Sequence, residues 1–267
     1  MTASILSSAP DTQISTVTAA KGLMTRNLRG VARMPSTFLP TLLMPVFQTV
    51  AFSGAFFAIT KIPGFPTSRS VNWFLPFGAC MGSAFSGLGM GFSLIRDMET
   101  GFFDRLRMSP TPRRSLILGA LFAAWSRTAI VLTIVLGVGF ALGARLTGGV
   151  LGLLCLYLAG LGISTAATGW GLGLAYRFRD MRGAAIMQLG MFVFMFLSTA
   201  QVPLAVMRGW LHSVARVNPM TNVFRMARQG FLGHVTWANT WGGLMALAVL
   251  SAILLTFARR GLNTLDK

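Results

Sequence analysis

The chain has 267 residues, 54% of them hydrophobic and only 11% charged, with a mean hydropathy of +0.66, which excludes an ordinary water-soluble domain. Basic residues outnumber acidic ones 23 to 6, giving a net charge of +17. The lysines and arginines nevertheless fall between apolar runs of membrane-spanning length rather than along a soluble basic face, which excludes nucleic acid as the partner.

In chain order, residues 1–15 are rich in Ser, Thr and Ala and are expected to be disordered. No apolar run follows a charged segment within the first 30 residues, so no cleaved signal peptide is expected. From 16 to 34 the periodicity is helical: Met24, Leu28 and Val31 share one face, and Arg26, Arg29 and Arg33 the other. An apolar stripe opposite an arginine stripe predicts a helix lying in the interface of an anionic leaflet; a solvated segment ahead of the membrane is the alternative.

Hydropathy then predicts an all-α polytopic membrane protein, a single domain with six spans at 37–59, 71–95, 115–142, 150–175, 183–202 and 237–258. Pro40 and Pro45 are expected to bend the first. Between the second and third lies a charged island, IRDMETGFFDRLRMSPTPRRSLIL, too rich in charge to sit in lipid. Asp104 and Arg107, three residues apart, can face each other on a short helix that Pro110 and Pro112 would stop. The region 96–112 therefore reads as a helical knob in water.

Residues 203–233, PLAVMRGWLHSVARVNPMTNVFRMARQGFLG, are too polar for a span and too apolar for an ordinary loop. They divide into two short amphipathic helices broken at Asn218-Pro219, with Thr221 and Asn222 available as caps. An external re-entrant hairpin is expected, or else an amphipathic loop resting on the outer surface.

Orientation follows from charge. Fifteen basic residues lie in the N-terminal segment, the island, the loop at 177–182 and the tail, against seven on the other side. This bias puts both termini and the island in the cytoplasm. Trp73, Trp237 and Trp241 then fall at the outer interface, where a tryptophan belt is expected. Only Lys21, Lys61 and Lys267 among the basic residues are lysine, the usage of a GC-rich bacterium, so the cytoplasmic membrane of a bacterium is the expected location.

Pairs of glycines four apart (Gly78/Gly82, Gly87/Gly91, Gly139/Gly143, Gly169/Gly173) permit close helix contact but single out no dimer face. Cys80 and Cys155 sit in apolar runs without metal-ligand spacing to each other or to His212 or His234, so they read as small core residues and no metal site is expected. No Walker A, Gly-x-Ser-x-Gly or His-Glu-x-x-His sequence occurs, so neither a nucleotide site nor a hydrolase site is expected. All six acids fall outside the predicted spans, whereas ion-coupled carriers place carboxylates within them; energy is expected from another subunit. One charge is deep: Arg127 lies about 18 Å into the third span at ~1.5 Å per residue. It serves either structure or the substrate pathway. Gln188, Ser198, Thr199 and Gln201 in the fifth span either line a cavity or bond between helices.

The order of these elements, together with Glu99-Thr-Gly-Phe-Phe-Asp-Arg-Leu-Arg-Met-Ser-Pro in the island and Val217-Asn-Pro-Met-Thr before the last span, resembles the membrane subunit of type-2 ABC exporters. The style is that of the daunorubicin/doxorubicin-resistance permeases. In that family the segment resembling Glu99 to Pro110 is the coupling helix, which docks in a groove of the ATP-binding subunit. Glu99, Gly101, Arg105 and Leu106 match the pattern. Asp104 stands where Glu is usual, and Phe102 and Phe103 are bulkier than the family's residues there.

The resemblance implies coupling residues Arg96, Asp97, Glu99, Gly101, Asp104, Arg105, Leu106 and Arg107. It also implies two permeases, identical or related, working with two ATP-binding subunits that hold ATP and Mg²⁺; this chain would carry no cofactor and no enzyme activity. Substrates in the family are hydrophobic drugs, lipids, and lipid-linked or capsular glycans. A drug, lipid or glycolipid exporter is the expected function. A glycan exporter of the same family, a non-transporting membrane scaffold, and a passive or ion-coupled carrier are the alternatives.

Overall fold

The computed structural model describes residues 15–33, 35–109, 112–233 and 235–266, so the expected disorder of the first residues lies almost wholly outside the described part. Among the described residues the regular structure is all helical: α1 Thr16–Arg33, α2 Pro35–Ala55, α3 Ser70–Glu99, α4 Phe102–Met108, α5 Arg114–Ala141, α6 Gly149–Phe178, α7 Arg182–Phe196, α8 Trp210–Val217, α9 Pro219–Leu232 and α10 Trp237–Asn263. Short 3-10 turns follow α2 at Phe57–Lys61 and α10 at Thr264–Asp266.

Helices α3, α5, α6 and α10, each 27–30 residues, are long and apolar enough to cross a membrane. At ~1.5 Å per residue each exceeds a hydrocarbon core of ~30 Å. The other two predicted spans correspond to shorter apolar helices, Leu39–Ala55 within α2 and Arg182–Phe196, which is α7. The hydropathic run to 202 is not helical throughout. Beyond Phe196 the chain turns, with the Ser198 hydroxyl donating back to the Met195 carbonyl and Pro203 close behind. In the opposite sense, α3 and α10 outrun their predicted ends, and Arg96, Asp97 and Glu99 form the last turn of α3.

Helix α3 is the axis of the bundle, buried along most of its length against α2, α5, α6 and α9. Small residues set these approaches. A Cβ at Gly87 would lie 2.8 Å from the Ala167 Cβ of α6, and one at Gly91 would lie 2.8 Å from the Gly171 Cα. Gly78 and Gly82 face Thr49 and Pro45 of α2, while Gly169 and Gly173 face Leu254 and Phe257 of α10. The glycine pairs of α3 and α6 are thus used within one chain, and Gly152 meets Gly230 where α6 crosses α9.

The hairpin breaks at Asn218-Pro219, but its cap is Asn218 rather than Thr221 or Asn222. The Asn218 carboxamide oxygen accepts from the Met220 N–H at 2.9 Å, while its NH₂ donates to the Phe194 and Leu197 carbonyls. A residue at the N-cap of a Pro-initiated helix has the extended backbone that lets its side chain reach that donor. Thr221 instead donates to the Ala215 carbonyl across the break. Helix α9 is buried against α3, α6 and α10, whereas Trp210 and Val217 of α8 are exposed.

Candidate functional site

The end of the bundle that carries α1 and α4 gathers most of the chain's charge. Gly101, at φ +67, makes the left-handed turn that reverses α3 into α4, a conformation that costs other residues more. The two phenylalanines after it are anchors. Phe103 is buried and packs on Tyr176 of α6 with ring centroids 6.0 Å apart. Phe102 lies under the guanidinium of Arg26, 3.8 Å from its ring centroid. That guanidinium also forms a two-point ion pair with Asp97, one of whose bonds measures 2.9 Å. Bidentate geometry of this kind fixes orientation as well as distance. The bulk at 102 and 103 thus ties the knob to α6 and α1.

With those two side chains turned inward, α4 presents Asp104, Arg105 and Met108 to solvent beside the exposed Arg96 and Glu99, and Leu106 is half-buried. The side chain of Arg107 lies outside the described residues, and with it the expected Asp104–Arg107 pair.

Beside the knob opens a cavity of about 880 Å³. Its walls come from α1 (Arg26, Asn27, Arg29, Arg33), α2 (Thr41), α3 (Phe85, Gly89, Phe92, Ser93, Arg96, Asp97), α5 (Arg127) and α7 (Ala184, Gln188). The arginine stripe of α1 therefore lines this space, while the opposite side of the helix rests on α5, Leu23 against Gly119. One side of the cavity is cationic and another is walled by Phe85 and Phe92. Such a volume falls in the ~300–1,000 Å³ range of ligand sites.

Arg127 is held loosely there. One Nη donates to the Asn27 carbonyl at 3.5 Å, and its buried Nε has no partner.

The remaining pathway candidates lie at the opposite end. Ser198 and Thr199 are buried in the turn after α7, and the Gln201 carbonyl accepts from the Trp73 indole at 2.8 Å. The same turn receives Arg228 of α9, which is only 2% exposed. Its Nε donates to the Trp73 carbonyl at 3.1 Å, and its two terminal nitrogens donate to the Thr199 and Ala200 carbonyls. The guanidinium also stacks 3.9 Å from the Trp73 ring. Trp73 is consequently buried and no part of a lipid-facing belt, unlike the exposed Trp237 and Trp241.

In the sequence Arg228 counts only as one of the seven basic residues of the outer side, on the second helix of the hairpin. One signal was available: it falls four after Phe224 and three before Phe231, on the apolar stripe of its helix. The Arg26–Asp97 pair had no such signal, its members being 71 residues apart.

Membrane-length helices, two apolar shorter ones and a charged helical knob beside an amphipathic cavity define a multi-pass α-helical membrane protein. A model of the ABC-2 type transporter family matches residues 18–232, from α1 to the end of α9, and the chain belongs to that family. It is 28% identical over 269 residues to the "Putative transport permease ycf38" of Pyropia yezoensis, covering 91% of this chain and 89% of the relative. It is 26% identical to the "Daunorubicin resistance ABC transporter permease protein DrrB1" of Streptomyces coeruleorubidus, covering 87% and 81%. Likeness to the ycf38 permease of Porphyra purpurea is also 26%, over 88% and 83%.

Proposed function

We propose that this chain is the membrane-spanning subunit of an ATP-driven exporter that moves an amphipathic or hydrophobic substrate (a drug, lipid or glycolipid) out of the cytoplasm or inner leaflet. In this reading six spans, with α2 and α7 counted, cross a bacterial cytoplasmic membrane with both termini on one side, and the excess of basic residues on that side supports a cytoplasmic position for the termini and the knob. Two such permeases assemble with two ATP-binding subunits, which hold the ATP and Mg²⁺. The observation that carries this reading is the anchoring of α4. It is tied by Phe103 to α6 and through Arg26 to α1, so a push on the exposed Glu99, Asp104 and Arg105 reaches three helices as one body.

A test uses the chain co-expressed with its ATP-binding subunit in vesicles. Replacing Glu99 and Asp104 together by Lys is expected to abolish ATP-dependent transport and weaken co-purification, while insertion and thermal stability stay near wild type. Undiminished coupling in that variant would refute docking at the knob. Native mass spectrometry of the complex gives the stoichiometry, two permeases with two ATP-binding subunits being expected.

A further inference from the structure

The cavity beside the knob is selective by construction. Among the described residues, five arginines (26, 29, 33, 96 and 127) line it with a single carboxylate, Asp97, and that carboxylate is already paired with Arg26. A cationic guest would meet unopposed like charge. Arg127 is the telling member. A guanidinium at membrane depth is costly to insert, and buried donors in native proteins normally have partners. Among the described residues, the buried Nε has none and the sole acceptor of the guanidinium is the Asn27 carbonyl at 3.5 Å. The space beside the group is kept open, since a Cβ at Gly89 would lie 3.2 Å from an Arg127 Nη. Phe85 and Phe92 on the same cavity wall offer apolar contact to whatever extends past the arginine.

We infer that this cavity binds an amphiphile with an anionic, phosphate-type headgroup: Arg127 takes the headgroup, Arg29, Arg33 and Arg96 steer it inward, and Phe85 and Phe92 take the start of its apolar portion. A planar guanidinium fork matches tetrahedral oxyanions in two-point contact. The inference rests on the exporter reading above, which it narrows to anionic substrates.

Binding is measured without ATP, on the full-length chain in a neutral detergent, with water-soluble short-chain probes. Dihexanoyl phosphatidylglycerol is expected to bind at least about tenfold more tightly than dihexanoyl phosphatidylcholine or a single-chain trimethylammonium amphiphile. Inorganic phosphate alone is expected to bind at least about tenfold more weakly than the anionic lipid. Arg127→Gln should weaken the anionic probe about 10- to 100-fold, the factor associated with a charged hydrogen bond, and Arg127→Lys should restore part of it. Gly89→Leu, which retains every charge but fills the space beside the guanidinium, should reduce binding comparably and keeps the test open if Arg127→Gln misfolds.

Equal affinity for the zwitterionic or cationic probe, or an unchanged constant in both variants, overturns the inference. Phosphate binding as tightly as the lipid makes this a free-anion site and overturns the amphiphile. Because binding is read without nucleotide, failure of ATP-driven transport in vesicles with intact anionic binding breaks the exporter reading alone. Transport of neutral amphiphiles indifferent to Arg127→Gln breaks only the inference.

Discussion

Arg127 and Arg228 both withdraw a guanidinium into the helical bundle, and among the described residues neither has a carboxylate partner. Their surroundings differ in kind. Arg228 is fully enclosed, donates to three backbone carbonyls from α3 and the turn after α7, and has its guanidinium carbon over the Trp73 ring. Arg127 faces an open cavity, with one long bond and a buried nitrogen unmet. The first arrangement engages all three guanidinium nitrogens with the protein's own backbone and joins three segments; the second leaves the guanidinium with one long bond. Equal chemistry at the two sites thus does different work, because one guanidinium is taken up by three carbonyls and the other by a single long bond beside a cavity.

The largest expected effect breaks the closed end. Arg228→Leu leaves the Thr199 and Ala200 carbonyls of the turn without the donor seen here, at about 1–3 kcal/mol for each unsatisfied group, so a loss of about 2–6 kcal/mol is expected. Thermal unfolding of the purified chain in detergent, together with the yield of monodisperse protein, measures it. A midpoint within a degree of wild type would remove the staple role. Next comes the α3–α6 contact that holds both ends in line. Gly91→Val sets a branched side chain against the Gly171 backbone, where even a Cβ would be 2.8 Å away, and overpacking of this kind costs about 1–3 kcal/mol. The same substitution at Gly137, which has nothing within 4 Å, serves as the control and should cost less than 1 kcal/mol.

Arg127→Leu sharpens the comparison by its sign. Removing an under-partnered charge from membrane depth relieves a penalty, so the unfolding midpoint is expected to stay level or rise by a few degrees even as anionic binding is lost. A fall as large as that of Arg228→Leu would mean that both arginines are structural, and the contrast between the two ends would go.

Much of this was legible in the sequence for definite reasons. The positions of the apolar helices follow from composition alone, and the hairpin break follows from Pro219, whose ring disfavours helical backbone at Asn218. The knob was legible because charge of that density cannot enter lipid. Helix ends were less so. The run to Val202 is apolar throughout, and hydropathy does not register that the Ser198 hydroxyl and the Asn218 amide take up carbonyls at the end of α7. The cavity was invisible because its lining comes from five helices, and periodicity tells which face of α1 carries Arg26, Arg29 and Arg33 without telling what that face meets. For the same reason Arg127 and Gln188 could be grouped with Ser198, Thr199 and Gln201 as residues of one pathway, although the fold sends the two sets to opposite ends.

The smallest expected effect concerns how α1 is held at the open end. The Arg26–Asp97 pair is bidentate, which favours a strong bond, but its side chains are 41% and 18% exposed, so water and salt screen it. A double-mutant cycle of Arg26→Gln and Asp97→Asn is expected to give a coupling of about 0.2–1 kcal/mol, falling as salt is raised. What keeps α1 on the bundle is then apolar contact: Ala20 is fully buried and Leu23 sits against Gly119. Trypsin cleavage within α1 reads the same balance, since detachment exposes Arg26 and Arg29 to the protease. Cleavage should accelerate little in Asp97→Asn and far more in Gly119→Leu, whose new side chain would have to displace Leu23. The reverse order would make the ion pair the clasp, and α1 would then be released by salt rather than by the loss of an apolar seat.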